Sequence, residues 1–513
     1  MLDLGTSLLA SVARDPDALA IVDGDVRLTY ADFWEKAAAI VAAFDALGLK
    51  PGDHLLSVLQ NRWQTAAIHW ACQIGGIVVT PLNWRAKVDE LDFCIRDADA
   101  RVVVYENVSA PAVGQAHAAA ALARVTLDIA GSGEIAFAEI AERTAANIAP
   151  RAGAENWSLM LYTSGTTARP KGVPRRHRVE RAAALAHVAQ NLYARGERTL
   201  GAMPLYHTMG VRSLLAMSLI SGTFVCLPHF DADRALELVA RERITNLYLV
   251  PTLYHDLLAS PRFATADVSS VRKLGFAGAP MTAALLQKLD RAFRPDLFVN
   301  HYGSSEIYTC TVEPNAAAKP GSAGKAGINQ LIRVVRLGAQ NAAATAPAGE
   351  EGEIIALLSG DEAFEGYWRR PEADAKSLRN GWYFTGDTGY FDADGDLFVT
   401  GRVDDMIITG GENVSPTEIE SCLSLHPAVA EVAVAGLPDE RLGKIVAAFV
   451  KPALEVGAVE LDRHCRASCL ADFKRPRRYV FVADIPKSPV GKLLRRRLLA
   501  GEYVEITQRE PTA

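Results

Sequence analysis

The chain has only seven cysteines in 513 residues, and no two of them form a CxxC pair. That argues against a disulfide framework and against a zinc ribbon. His464, Cys465 and Cys469 stand close together, but three such residues alone do not make a metal site, and thiols on a helix, buried or half-exposed, are expected there. A basic excess is also lacking. Lys and Arg number 54 against 60 Asp and Glu, a net charge of −6, which argues against a non-specific nucleic-acid binder. The N-terminus has no basic start and no long apolar core of the kind that marks a signal peptide. Long hydrophobic runs are scarce. Ser213 to Phe230 carries no charged residue, yet Ser218, Ser221, Gly222, Thr223 and Pro228 divide it into a helix, a turn and a short strand. No membrane partner and a cytoplasmic location are expected. With 49% hydrophobic and 22% charged residues, the composition is that of an ordinary globular protein. The length corresponds to roughly three domain-sized units.

Against this background one stretch stands out, Leu161 to Val173, with the sequence LYTSGTTARPKGV. An apolar run enters Thr163, Ser164, Gly165, Thr166 and Thr167, and the segment closes on Pro170, Lys171 and Gly172. A strand that delivers a hydroxyl- and glycine-rich turn ending in lysine is a device for holding phosphate. Glycine lets backbone N–H groups approach the anion, the hydroxyls add donors, and the ammonium adds a full charge. The order and spacing differ from the GxxxxGK[ST] loop.

Elsewhere the chain alternates strand and helix at βαβ spacing, so a mostly parallel sheet is expected. A hairpin is expected from Ala20 to Leu28 around Asp23-Gly24-Asp25. A helix is expected to start at Thr29 and run to about Leu47, others from Trp63 to Ile74 and from Val88 to Asp97, and buried strands from His54 to Leu59 and from Arg101 to Tyr105. From Ala110 to Ala154 the pattern predicts surface helices and a peripheral strand. Three later strands end in small or polar residues: at Met203 to His207, at Ala277 to Pro280, and at His301 to Glu306. In open α/β sheets that edge is where ligands bind. Past residue 320, short strands and glycine turns predict a β-rich subdomain, and after Asp405 the pattern predicts a small α+β domain. Phe391 to Asp396 has the acidic spacing of a calcium loop but its glycine in the wrong position, so a hairpin turn is expected.

Seven stretches in one order carry a family resemblance. They are Tyr162 to Gly172, Met203 to His207, Ala277 to Pro280, Tyr302 to Glu306, Tyr383 to Asp387, Gly401 to Asn413 and Pro489 to Lys492. Together they resemble the adenylate-forming superfamily of acyl-CoA synthetases, peptide-synthetase adenylation domains and luciferases. The run from Ala471 to Tyr479 looks most like bacterial aryl-CoA ligases of the benzoate and 4-chlorobenzoate type, which act in aromatic acid degradation. The resemblance implies an α/β fold with a large N-terminal domain (1–402) and a small mobile α+β C-terminal domain (403–513). It implies ATP, Mg²⁺, coenzyme A and a small carboxylate as partners, and it leaves a homodimer open.

The resemblance also assigns roles. Lys492 would be the catalytic lysine bridging the carboxylate and the adenylate oxygens, with His207 and Glu306 beside the reaction. Lys171 and Thr163 to Thr167 would hold the β- and γ-phosphates, and Glu306 with Thr163 would anchor Mg²⁺. Gly278, Ala279, Pro280 and Tyr302 would form the adenine slot, with Tyr302 stacking on the base, and Gly303, Ser304 and Ser305 would also bind the nucleotide. Asp387 would accept from both ribose hydroxyls and Arg402 would contact the ribose or phosphate. Asp404 matches the hinge, Gly410 and Gly411 the pantetheine tunnel, and Arg85, Phe473 and Arg475 the site for the CoA nucleotide. At Leu442 the chain departs from its chlorobenzoate-type relatives, which stack a tryptophan there.

His207, Thr208, Met209, Val250, Ala279, His301, Tyr308 and Thr309 are expected to wall the carboxylate pocket. The polar character of the last three predicts a small ring with a heteroatom or hydroxyl, such as benzoate, hydroxybenzoate, aminobenzoate or furoate. Three rival readings share the nucleotide residues: an enzyme loading a carrier-protein thiol, a monooxygenase of luciferase type, and a non-catalytic binding protein. A well-placed charge donor is worth ~3–4 kcal/mol in a transition state. Lys492→Ala is therefore expected to slow adenylation by about 10²–10³ and to affect thiolysis of preformed adenylate much less. Equal losses in the two half-reactions, assayed separately, would refute the role.

Overall fold

The computed structural model describes residues 1–141, 148–163, 169–468, 470–487 and 493–506. The chain opens with the hairpin, strands Leu19–Asp23 and Val26–Thr29, whose turn uses Gly24 at φ +60°. Thr29 then starts the helix Tyr30–Ala46 with a capping box, its hydroxyl accepting from the Asp32 N–H while the Asp32 carboxylate accepts from the Thr29 N–H. That helix and Trp63–Gly75 share one core, which buries Phe33, Phe44 and Trp70. Gly76, at φ +72°, closes the second helix as a left-handed cap.

Strand Trp157–Thr163 belongs to a seven-stranded sheet in the order 135–136, 123–126, 100–105, 54–58, 78–81, 157–163 and 171–176. All neighbours are parallel except the last pair. The segment after Ala110 thus adds two short parallel strands to this sheet, where a single peripheral strand was expected. The stretch from Ser213 to Phe230 folds as expected, with helix Thr208–Leu219, a turn, and strand Thr223–Cys226. No helix among the described residues is long and apolar enough to cross a membrane.

The second sheet has 14 strands. Its parallel part runs 297–302, 273–276, 246–249, 198–201, 223–226 and 19–23. The β-rich region past residue 320 is antiparallel, but it is not a detached layer. Strands Thr311–Glu313 and Ser322–Ala326 hydrogen-bond it into the parallel strands as one continuous sheet. The seam is bulged between Ser322 and Gly324. Gly324 sits at φ +74°, and a Cβ there would lie 2.0 Å from the Val312 carbonyl oxygen. The expected hairpin turn at Asp392 to Asp396 is closed by Lys319, whose ammonium pairs with Asp392, Asp394 and Asp396.

A third, five-stranded sheet (407–409, 412–414, 429–439, 443–452 and 478–481) carries helices Pro416–Ser424 and Ala458–Ala467. Cys465 is buried on the second of these helices, and Cys469 lies outside the described residues. Because Gly324 is both left-handed and in backbone contact, Gly324→Ala is expected to cost about 2 kcal/mol or more, measured by denaturant unfolding. Wild-type stability in that variant would show the seam to be tolerant.

Candidate nucleotide and carboxylate site

The parallel strands of the large sheet deliver their C-terminal ends to one edge. His207 follows strand Arg198–Gly201, Val250 follows Asn246–Leu249, Ala277 to Pro280 follow Lys273–Phe276, and Gly303 to Glu306 follow Leu297–Tyr302. Gly278 takes φ +86°, and a Cβ there would meet Val250 Cγ1 at 3.4 Å and Met209 Sδ at 4.0 Å. Gly303 is tighter still: its Cβ would lie 1.8 Å from the carbonyl oxygen of Tyr308, a residue itself held at φ +64°. Only glycine fits there.

Across this edge, antiparallel pairing sets Asp387 directly opposite Arg402. The Arg402 Nη1 donates to Asp387 Oδ1 at 2.6 Å, and the Tyr302 hydroxyl donates to Asp387 Oδ2, also at 2.6 Å. Burial and the adjacent Asp387 carboxylate push the Tyr302 phenol well above its usual range, so it remains a donor. Each carboxylate oxygen keeps a second lone pair for another donor. The Tyr302 ring is thus anchored by its hydroxyl beside the expected ribose acceptor.

Glu306 is buried and accepts from the Tyr367 hydroxyl at 2.7 Å, and the Lys171 ammonium stands 4.0 Å over the Tyr367 ring. Burial pulls the Lys171 ammonium below its ordinary value, and the charge of Glu306 opposes that shift. The Thr163 hydroxyl donates to the Lys171 carbonyl at 3.4 Å. The other Glu306 oxygen receives no hydrogen bond from the described residues, so carboxylate and threonine together suit a hard cation that keeps water or phosphate oxygens as further ligands. Ser164, Gly165, Thr166, Thr167 and Lys492 lie outside the described residues. Arg496, four positions past Lys492, lines a cleft of about 1000 Å³ together with Arg169, Pro170 and Arg370.

The carboxylate pocket differs from expectation in where its polar groups point. His207 caps helix Thr208–Leu219, its Nδ1 accepting from the Met209 N–H at 3.3 Å. Tyr308 is buried with its hydroxyl on Glu180 (3.1 Å) and its ring 3.7 Å beneath the Arg175 guanidinium. His301 donates through Nε2 to Asn191 at 3.2 Å, and Thr309 accepts from Arg212. These side chains therefore engage a buried network before any substrate does. Two of that network's members escaped the sequence reading. Arg175 lies within a run of surface-like arginines, which hid it. Arg212 carried a usable signal, a lone cation at the head of a chargeless helix.

The residues expected at the CoA nucleotide are spread out. Arg85 is exposed with its guanidinium 3.6 Å over Trp84, Phe473 is exposed, and Arg475 is held by Asp462 at 2.6 Å. Among the described residues no hydrogen bond or ring contact joins Arg85 to Phe473 or Arg475. Gly410 and Gly411 form a left-handed turn at φ +59° and +90°, and a Cβ on Gly410 would lie 3.3 Å from Leu442. Asp404 is exposed in the turn after strand Leu397–Arg402.

The family model described as AMP-binding enzyme matches residues 8–368, and that of the AMP-binding enzyme C-terminal domain matches 418–492. The chain belongs to this family of adenylate-forming enzymes. It is 35% identical over 499 residues to a feruloyl-CoA synthase of an Amycolatopsis species, covering 96% of this chain and 97% of the relative. It is 34% identical over 502 residues to a 4-chlorobenzoate–CoA ligase of an Arthrobacter species, covering 95% and 93%. The crystal structure of ATP-bound MatB from Rhodopseudomonas palustris superposes with a TM-score of 0.88 at 29% identity, covering 97% of this chain and 98% of that one. The resemblance in the motifs, including that to aryl-CoA ligases, is thereby established.

Hydrogen bonds to a charged group are worth about 1.5–3 kcal/mol. Asp387→Ala is therefore expected to weaken ATP binding by about tenfold or more, read by calorimetric titration. Unchanged affinity would remove Asp387 from the ribose site.

Proposed function

We propose that the protein is an ATP-dependent acid–CoA ligase that converts a small aromatic or heteroaromatic carboxylate to its adenylate and then to its CoA thioester. The observation that carries this reading is one edge of the sheet holding the Tyr302–Asp387–Arg402 clamp, the Glu306–Tyr367–Lys171 group and the His207–Met209–Gly278 wall. A carboxylate is inert toward thiols because its leaving group would be oxide. Attack of its oxygen on the α-phosphate of ATP expels pyrophosphate and makes AMP the leaving group for the later attack by the CoA sulfur.

In that first step two anions meet, and cations must lie along the path. Lys171 would face the departing phosphates, and Lys492 the carboxylate. Mg²⁺, held through Glu306 and Thr163, would offset phosphate charge. The chain would divide into 1–402, which holds nucleotide and acid, and 403–513, which carries Lys492, turning about Asp404 between half-reactions. The arginine-lined cleft shared by Arg169 and Arg496 supports a C-terminal unit that reaches the phosphate loop. Gly410, Gly411, Arg85, Phe473 and Arg475 would then serve CoA.

The alternative is an enzyme acting on another short or medium acid, or loading a carrier-protein thiol. A panel of carboxylic acids assayed for AMP formation with free CoA decides between them. Small aromatic acids are expected to lead. Higher kcat/KM with octanoate than with any of them would refute the aryl reading, and AMP release without use of free CoA would favour a carrier thiol.

A further inference from the structure

Behind the residues expected to wall the acyl pocket lies a buried cation with no direct counter-ion among the described residues. Arg212 is 2% exposed on helix Thr208–Leu219, one turn past Met209, whose sulfur approaches Gly278. Two of its N–H groups are engaged, Nη1 by the Thr309 hydroxyl and Nη2 by the Tyr248 hydroxyl. Nε is buried without a hydrogen-bond partner among the described residues. A guanidinium has five N–H donors, so most of this one's capacity is unused. Among the described residues Arg212 makes no ion pair. Glu362, fully buried, feels its charge and shares the Thr309 hydroxyl, and burial raises that carboxyl to about 7 despite the pull of Arg212. Burial thus weakens it as a counter-ion.

More unmet polar groups surround it. Glu362 Oε2, His301 Nδ1 and His187 Nε2 are buried with no hydrogen-bond partner among the described residues. The two imidazole rings lie 5.4 Å apart, each 5.4 Å or less from the Tyr248 ring. Burial holds both rings well below the usual histidine range, hence neutral. Buried donors and acceptors are almost always satisfied, and an uncompensated buried charge is costly. A site with this much unspent donor capacity behind the pocket wall is built to receive an acceptor.

We infer that Arg212 is a specificity-determining residue that binds a hydrogen-bond-accepting oxygen at the end of the acid remote from its reacting carboxylate. This inference rests on the acid–CoA ligase reading and names its substrate class: acids bearing a second carboxylate, a hydroxyl or a ring oxygen at that end. The Thr309 and Tyr248 hydroxyls hold the guanidinium through Nη1 and Nη2, which leaves Nε and one N–H on each Nη as donors for the newcomer. An acid with a bare hydrocarbon end would leave them unpaired, which is how such sites discriminate.

The test pairs benzoate with its hydroxy and carboxy derivatives and with furoate, measuring kcat/KM for adenylation and, separately, equilibrium binding of each acid by calorimetry. Wild type is expected to favour the best oxygen-bearing acid over benzoate by tenfold or more. Arg212→Met should abolish that ratio while the KM for ATP stays unchanged, and Arg212→Lys should restore part of it. Preference for the dicarboxylate identifies an anionic partner, and preference for hydroxyl or ring oxygen a neutral one. Equal use of benzoate and its derivatives by wild type overturns the inference, whether or not the variants fold, and leaves the ligase reading intact. A ratio that survives Arg212→Met also overturns it and marks the arginine as structural. Binding of these acids that depends on Arg212, without AMP formation, would instead sink the ligase reading and keep the site.

Discussion

The site depends on one buried guanidinium. Arg175 sits on the strand that follows the phosphate loop, fully buried, and forms an ion pair with Glu180 at 2.6 Å. The same side chain donates to the carbonyls of Ser305 and Glu306, both at 3.2 Å, and covers the Tyr308 ring. It therefore fastens the hairpin of the seven-stranded sheet to the turn that ends a strand of the large sheet. Removing one partner of such a pair leaves an uncompensated charge in the interior, a cost of about 3–5 kcal/mol. The relative position of Lys171 and Glu306 follows from that fastening. The Tyr308 hydroxyl, on a residue held at φ +64°, donates to the other oxygen of the same Glu180.

A consequence is that the residues expected at the nucleotide and those expected to wall the acid pocket share one buried backing. The residues behind Tyr308 and Thr309 are Arg175, Glu180, Arg212 and Glu362, polar throughout, where an ordinary interior would be apolar.

Much of the fold was legible in the sequence because periodicity and turn chemistry are local. The Asp-Gly hairpin, the Thr29 cap and the alternation through residue 105 all lie where those signals put them. The continuity of the large sheet was not legible, since it hangs on a bulge at Gly324 whose meaning is a contact with a carbonyl twelve residues upstream. Within the site, the motifs located the strand ends, and the register of Asp387 with Arg402 fulfils the proximity they implied. They did not say which way His301, Tyr308 and Thr309 point. Side-chain direction there is set by partners at Asn191, Glu180 and Arg212, distant in sequence and outside every motif.

The stretch around Asp404 has one more property. Upstream, Arg402 is bound to Asp387 on the large sheet; downstream, Asp405 is bound to Arg495, which also holds Glu420 at 2.7 Å and the Val434 carbonyl. Between these two clamps stand Val403 and Asp404, both exposed, with no side-chain tie among the described residues. The backbone here is held as well: the Val403 N–H bonds the Gly386 carbonyl, and the Asp405 and Met406 N–H groups close a turn on the Arg402 carbonyl. The corner between the two clamps is thus stapled through its main chain, while its two side chains are left to solvent.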